Sequence, residues 1–248
     1  MTKRNGSRRL LLISSSTVYG SSYLDHAESE IQDFLRGSSQ IAFIPFALRD
    51  RGAYAAKVQT RMQAMGYSLV SVHDVSNQKR LLEDSDAVFI GGGNTFRLLK
   101  GLYDSDLLAT IRATADAGAP YLGSSAGSIV ACPSLGTTKD MPVVQPPSFE
   151  ALGLVDFQIS PHYLDPDPSS HHMGETQEER ILQFLEENDA LVVGLREGSM
   201  LRVEGGAISL KGSAAARIFR RNHQPLEVEP SNSLGALLDV RSQLGAPA

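Results

Sequence analysis

The sequence has little of several features that characterise particular classes of protein. Its single cysteine, Cys132, excludes an internal disulfide framework, a CxxC redox pair and a multi-cysteine zinc site, and it fits a reducing, cytoplasmic compartment. It has no tryptophan, and no apolar run approaches the ~18 residues that a membrane span needs. Its 23 basic residues are outnumbered by 28 acidic ones, so we expect no basic face for nucleic acid.

The length and the apolar content of the chain are typical of a folded globular protein. It has 248 residues, of which 42% are apolar, and a length of this order commonly forms one α/β domain. We find no internal repeat and no long linker, so we predict a single domain over residues 1–248 with tails at 1–7 and about 230–248. The basic N-terminal segment is followed by only four apolar residues, too few for a signal peptide.

Short apolar runs alternate with amphipathic segments through most of the chain. The predicted strands are Leu10–Ser14, Gln40–Pro45, Ser68–Val72, Ala87–Ile90, Tyr121–Leu122, Phe157–Ser160, Ala190–Gly194, Met200–Val203 and Ala207–Leu210. The predicted helices are Leu24–Leu35, Tyr54–Met65, Lys79–Asp84, Asn94–Leu102, Ser105–Ala117 and Glu175–Glu187. This alternation predicts an α/β fold of three layers, a mostly parallel sheet with helices on both faces. Ligands bind such sheets at the carboxyl ends of the strands.

The segment Gly123–Ser128 fits the pattern G-x-S-x-G between a predicted strand and a predicted helix. In that pattern a sharp turn exposes the central serine, which needs small neighbours two residues before and after it. The spacing selects Ser125 as a nucleophile, and the following helix directs its N-terminus at developing negative charge. The alternative is a Gly/Ser-rich connection without chemical importance.

A second glycine-rich loop, Gly91–Gly93, also follows a buried strand. Glycines let a backbone approach a ligand closely and present bare N–H groups. A phosphate cradle is one interpretation, but no G-K-[ST] follows. The other is an oxyanion hole formed by the amides of Gly92 and Ala126. Asn94 and Thr95, directly after the glycines, are candidate substrate-binding residues.

A serine nucleophile requires a base, and the sequence has six histidines. His162 directly follows a predicted strand, which favours it over the remaining five (His26, His73, His171, His172 and His223). Glu197, in a turn after another strand, is the candidate for the acid that orients the imidazole, and Asp140 is its competitor.

The same region contains a loose set of potential metal ligands. These are His162, Asp165, Asp167, His171 and His172. The set lacks a helix-spaced histidine pair and is interrupted by prolines, so we predict no metal site and no other cofactor. We interpret Cys132 as a small buried apolar residue.

Taken together, these motifs resemble the peptidase E family of aspartyl dipeptidases, which is related to cyanophycinases and has a class I glutamine amidotransferase-like fold. The matching segments are Phe43–Ala47, Gly91–Phe96, Ser125–Gly127, Asp140–Pro142, Pro146–Phe149, Pro161–His162 and Gly174–Thr176. The resemblance implies a catalytic triad with Ser125 as nucleophile, His162 as base and Glu197 as the acid. Asp140 is the alternative candidate for the acid. The resemblance also implies a homodimer.

One position departs from the family pattern. The family has an arginine after Gly-Glu-Thr, where this chain has Gln177. Binding the aspartyl carboxylate requires a cation. Gln177 itself and Arg180, one helical turn later, are candidate substrate-binding residues; Arg180 is the first substitute for the missing cation, and Lys139 and Arg97 are weaker ones.

The resemblance implies a cytoplasmic serine dipeptidase that hydrolyses Asp-Xaa dipeptides through an acyl-enzyme, without a metal. Its substrate is a small peptide with an N-terminal aspartate. One alternative is a cyanophycinase-like hydrolase of β-Asp-Arg material. Another is a non-catalytic small-ligand-binding protein on the same fold. Glutamine amidotransferase activity is disfavoured because that relative has cysteine where this chain has Ser125.

Overall fold

The computed structural model describes residues 8–171, 173–230 and 234. Its strands are β1 (Arg9–Ile13), β2 (Gln40–Ile44), β3 (Ser68–Ser71), β4 (Ala87–Ile90), β5 (Tyr121–Ser124), β6 (Gln158–Pro161), β7 (Leu191–Leu195), β8 (Ser199–Glu204), β9 (Ala207–Gly212), β10 (Ala216–Arg220) and β11 (Leu226–Val228). Its α-helices are α1 (Glu28–Phe34), α2 (Arg51–Ala64), α3 (Gln78–Asp84), α4 (Thr95–Asp104), α5 (Leu108–Asp116), α6 (Ala126–Val130) and α7 (Gln177–Glu187).

The strands form two sheets. The larger has seven strands in the order β3-β2-β4-β5-β1-β8-β9, and its first five are parallel. Strands β8 and β9 extend it as an antiparallel pair. The smaller sheet has the order β11-β10-β7-β6, in which only β6 and β7 are parallel to each other. The predicted α/β fold with a mostly parallel central sheet is confirmed.

The apolar run of β1 shows why the larger sheet is covered on both faces. Successive strand side chains point to opposite faces. Leu10 and Leu12 belong to the core shared with α4, α5 and α6, whereas Leu11 and Ile13 belong to the core shared with α1 and α2. All four side chains are fully buried, so the strand must be apolar throughout rather than alternating.

The predicted elements are present, with ends that shift by a few residues. The first helix was expected from Leu24, but α1 begins at Glu28 after a 3-10 turn at Asp25–Ala27. Strands β10 and β11 were not predicted, because the charged residues between Arg217 and His223 hide the short buried run in β10.

The smaller sheet has its own covering helix. Ile181 and Leu185 of α7 pack with Val192 of β7 and Phe219 of β10. Leu234, within the predicted C-terminal tail, is buried and donates its N–H to Ile208 O at 2.8 Å. The rest of that segment from residue 231, and residues 1–7, lie outside the described residues. Across the described part of the chain, no helix is both long and apolar enough to cross a membrane.

Candidate active site

Ser125 lies in the sharp turn between β5 and α6, at the carboxyl edge of the parallel strands. Its φ of 52° and ψ of -109° are a strained conformation for a residue with a side chain. The turn is tightly packed, because a Cβ at Gly127 would collide with the carbonyl oxygen of Ile90 in β4. Tyr121 Oη fixes the same peptide by donating to Gly127 O at 2.7 Å. The strain is therefore supported by packing from two neighbouring segments.

A continuous hydrogen-bonded chain joins the serine, histidine and glutamate singled out from the sequence. Ser125 Oγ lies 2.8 Å from His162 Nε2, and His162 Nδ1 lies 2.7 Å from Glu197 Oε1. With Nδ1 donating to the carboxylate, Nε2 is free to accept the serine proton. The side chains of His162 and Glu197 are 40% and 47% exposed, so the chain of bonds opens onto solvent.

The backbone of His162 is held on both sides. Its φ is 52°, its N–H donates to Ser14 Oγ at 2.9 Å, and its carbonyl accepts from Lys139 Nζ at 3.0 Å. Ser14 Oγ in turn donates to Leu195 O at 2.7 Å. Ser14 thus connects the end of β1 to the smaller sheet, which carries the imidazole.

Ser14 was not predicted as a residue of the site. The available signal was the run Ser14–Ser16, a polar segment at the carboxyl end of a buried strand. Such positions face the ligand edge of a parallel sheet.

Asp140 is engaged elsewhere. Its Oδ2 accepts from both Thr95 N and Thr95 Oγ1 at 2.6 Å, at the N-terminus of α4. Asn94 caps the same helix by accepting from Arg97 N at 3.0 Å, and its Nδ2 donates to Met141 O at 2.8 Å. The structure therefore places Asp140, Asn94 and Thr95 in one capping arrangement, and it is Glu197 that contacts the imidazole.

The glycine loop lies directly against the nucleophile. A Cβ at Gly92 would be 3.1 Å from Ser125 Cβ and 3.7 Å from Ser125 Oγ. The Tyr54 hydroxyl packs behind this loop against Gly91. Burial raises the pKa of Tyr54, against smaller opposing effects of Tyr23 and the Gly92 amide. Ala126 begins α6 directly after Ser125, and the Gly92 backbone lies beside the Ser125 side chain.

Two cavities adjoin at this site. The first is a cleft of about 830 Å³ that contains Ser125, His162 and Glu197 and extends along the start of α2. The second, of about 240 Å³, lies between the segment Gly136–Asp140 and α7. Asp140 lines both cavities.

The second cavity brings together three residues considered for the aspartyl carboxylate. Lys139 Nζ donates three hydrogen bonds: to Gln177 Oε1 at 3.0 Å, to Pro161 O at 2.8 Å and to His162 O at 3.0 Å. Arg180 Nε lies 3.6 Å from Glu175 Oε2. Burial, with a contribution from the positive charge of Arg180, lowers the pKa of Lys139 to about 8 against the opposing effect of Asp140. Gln177 therefore binds the Lys139 ammonium, so a cation lies beside this residue although the family's arginine is missing.

The loose set of potential metal ligands is dispersed among other contacts. Asp165 makes a paired interaction with Arg196 at 2.7 and 2.8 Å, and Asp167 accepts from Ser169. Among the described residues, which leave out His172, no group of three or more His, Cys, Asp or Glu side chains could hold a metal ion. Cys132 is fully buried, as predicted, and burial raises its pKa to about 12, so the thiol stays protonated.

Sequence comparisons match the chain to a peptidase family. The model of peptidase family S51 matches residues 10–211. Peptidase E of Streptomyces coelicolor is 51% identical over 234 residues, which cover 94% of this chain and 96% of that protein. A probable alpha-aspartyl dipeptidase of Drosophila melanogaster is 44% identical over 234 residues, which cover 93% of this chain and 98% of that protein.

Solved structures with the same fold extend the comparison. A peptidase from an acI-B1 actinobacterium superimposes with a TM-score of 0.67 over 92% of this chain and 97% of that chain, at 16% identity. A putative peptidase E protein from Listeria monocytogenes gives a TM-score of 0.65 over 84% of this chain and 99% of that chain, at 22% identity. At these identities the likeness establishes the fold, which agrees with the class I glutamine amidotransferase-like architecture that the resemblance implied.

Proposed function

The chain belongs to peptidase family S51 and is a serine-type dipeptidase, and we propose that Ser125, His162 and Glu197 form its catalytic triad. The observation that supports this most strongly is the unbroken chain of bonds from Ser125 Oγ through the imidazole to Glu197 Oε1. The strained backbone of Ser125 and the two hydrogen-bonded backbone groups of His162 give further support. A triad acts only when its side chains are held at fixed distances and orientations.

In this mechanism His162 Nε2 removes the proton from Ser125 Oγ as the oxygen attacks the scissile carbonyl carbon. The amides of Gly92 and Ala126 donate to the oxyanion. His162 then returns the proton to the departing amine, which leaves an acyl-enzyme on Ser125. Water, deprotonated by the same nitrogen, hydrolyses the ester, while Glu197 stabilises the imidazolium throughout.

We propose that the substrates are Asp-Xaa dipeptides, as the name of the Drosophila relative indicates for that protein. The aspartyl side chain would enter the second cavity, whose walls carry two cations, Lys139 and Arg180. The single carboxylate of the lining, Asp140, accepts two hydrogen bonds from Thr95, and the two cations outnumber it, so the lining favours an anion. Gln177 would hold the Lys139 ammonium in place.

The test is hydrolysis of Asp-Leu by the wild type and by the Ser125→Ala variant. We expect the variant to be inactive and the wild type to be insensitive to a chelator. The matched control is Ser124→Ala, since the adjacent Ser124 Oγ is buried and has no hydrogen-bond partner among the described residues. Activity retained by Ser125→Ala, or lost with the chelator, would contradict the triad. A parallel assay with β-Asp-Arg separates this function from a cyanophycinase-like one.

We also propose a reducing, cytoplasmic location, which the single cysteine supports, and a homodimer, which the family resemblance implies. Sedimentation of the purified protein measures the second property. A mass of twice one chain is expected, and a mass of one chain would contradict it.

A further inference from the structure

The larger cleft is lined by charged side chains that have no role in the proposed mechanism. Beyond the triad it extends along the segment after β2 and the first turns of α2, where Arg49, Asp50 and Lys57 line it. Leaving-group chemistry takes place in this cleft, because Ser125 and His162 lie in its wall. A cleft that accepts the departing residue of a dipeptide must also accept that residue's free carboxylate.

The carboxylates that line this cleft already have partners. Asp50 caps α2 by accepting from Ala53 N at 2.9 Å. Glu197 accepts from His162, and Asp140 accepts from Thr95. Each of these carboxylates therefore accepts a hydrogen bond within the protein and keeps its negative charge.

The two cations in the wall differ from these carboxylates. Within the part of the chain that the structure describes, no ion pair involves Arg49 or Lys57. Lys57 Nζ is held 4.7 Å from the ring centroid of Tyr23, another residue of the cleft wall, so the ammonium is oriented without being neutralised. In this part of the cleft the two cations therefore outnumber the single carboxylate, Asp50, and the local charge is positive.

The position of Lys57 relates it to the reacting centre. Residues three apart on a helix lie on the same face, so Lys57 and Tyr54 share one face of α2. The Tyr54 hydroxyl packs against Gly91 beside Gly92, and Tyr54 also lines the cleft. This face of α2 therefore runs from the glycine loop at Ser125 towards the Lys57 ammonium.

We propose that Lys57 and Arg49 bind the free carboxylate of the leaving residue, and so make the enzyme selective for dipeptides. This inference rests on the proposed dipeptidase function and adds a determinant of substrate length to it. In a dipeptide the residue after the scissile bond ends in a carboxylate, which both side chains can bind by charge-assisted hydrogen bonds. In a longer peptide that position is a neutral amide, which gains nothing from the two charges.

The experiment compares Asp-Leu with its C-terminal amide, Asp-Leu-NH2, as substrates of the wild type and of Lys57→Gln and Arg49→Gln. For each variant we expect kcat/KM on Asp-Leu to fall about 3- to 10-fold. A loss of this size lies between the contribution of an exposed ion pair and that of a hydrogen bond to a charged group. We expect kcat/KM on the amide to be unchanged, so that the preference for the free acid shrinks.

Two further variants make the result specific. Lys57→Arg retains a cation and should keep most of the preference. Arg51→Gln removes a neighbouring cation that stacks on Phe46, at 4.4 Å from the ring centroid, and it should leave both substrates unaffected.

Equal loss on both substrates, or equal rates for both substrates with the wild type, would overturn this inference while leaving the dipeptidase function intact. Hydrolysis of neither substrate by the wild type would overturn the proposed function and this inference with it.

Discussion

A methyl group added at Gly123 tests whether the turn at Ser125 depends on close backbone packing. A Cβ at this position would lie 2.7 Å from Gly127 O, 2.8 Å from Gly127 C and 3.0 Å from Ser128 N. All three atoms belong to the backbone of α6, so no side-chain rotation can relieve the contact, and α6 must move by several tenths of an ångström. Overpacking of this kind costs about 1–3 kcal/mol in the free energy of unfolding.

For a chain of this length, that cost corresponds to a fall in Tm of about 2–4 °C per kcal/mol, or roughly 2–12 °C in total. The displacement also moves Ser125 relative to His162, and misplacement by about 1 Å can cost ~100-fold in rate. We therefore expect Gly123→Ala to lower both Tm, measured by calorimetry, and kcat/KM on Asp-Leu.

The matched control is Gly52→Ala in the first turn of α2. Its nearest neighbours are Asp50 Oδ1 at 3.8 Å and His73 Nε2 at 3.9 Å, so the added Cβ meets only ordinary contacts. Alanine also favours the helix, which should leave Tm unchanged or raise it. Unchanged Tm and activity in Gly123→Ala would refute the argument that this turn is tightly packed.

Two further predictions concern the acid of the triad and the cation of the second cavity. Glu197→Gln should lower kcat on Asp-Leu by about 10²- to 10⁴-fold through loss of imidazolium stabilisation, and steady-state kinetics showing less than about a tenfold loss would argue against its role. Because burial lowers the pKa of Lys139 to about 8, the ammonium should lose its proton as pH rises through that value, and kcat/KM on Asp-Leu should fall there. Asn-Leu, which lacks the aspartyl charge, should not show this decline, and parallel profiles for the two substrates would contradict the role of Lys139.

The parts of the fold that could be predicted from sequence are those encoded locally. A strand buried on both faces is continuously apolar, and β4 was predicted with its observed bounds, Ala87–Ile90. The turn at Ser125 was predictable because its spacing of small residues reflects a steric requirement within five residues. From the residues alone, His162 was favoured over the other histidines because it follows a strand.

Features that depend on contacts between distant segments could not be predicted in this way. Ser14 joins Leu195 across 181 positions of the chain, and the polar run Ser14–Ser16 indicates a place at the ligand edge but not this contact. Asp140 remained a competitor of Glu197 because its bonds to Thr95, 45 positions away, cannot be inferred from spacing.

Lys139 was considered a weak candidate for the same reason. Its surroundings combine the end of β6, the start of α7 and the loop after α6, three segments that meet only in the folded chain. Its depressed pKa follows from that assembly and has no local signal in the sequence.

The most direct test of the central claim is to identify the residue that a serine-reactive fluorophosphonate modifies. Peptide mapping by mass spectrometry should find one adduct, on Ser125, formed by the wild type and by Ser124→Ala. His162→Ala should slow its formation strongly, because the base that activates the hydroxyl is missing. An adduct on another serine, or no adduct in an enzyme that hydrolyses Asp-Leu, would contradict Ser125 as the nucleophile.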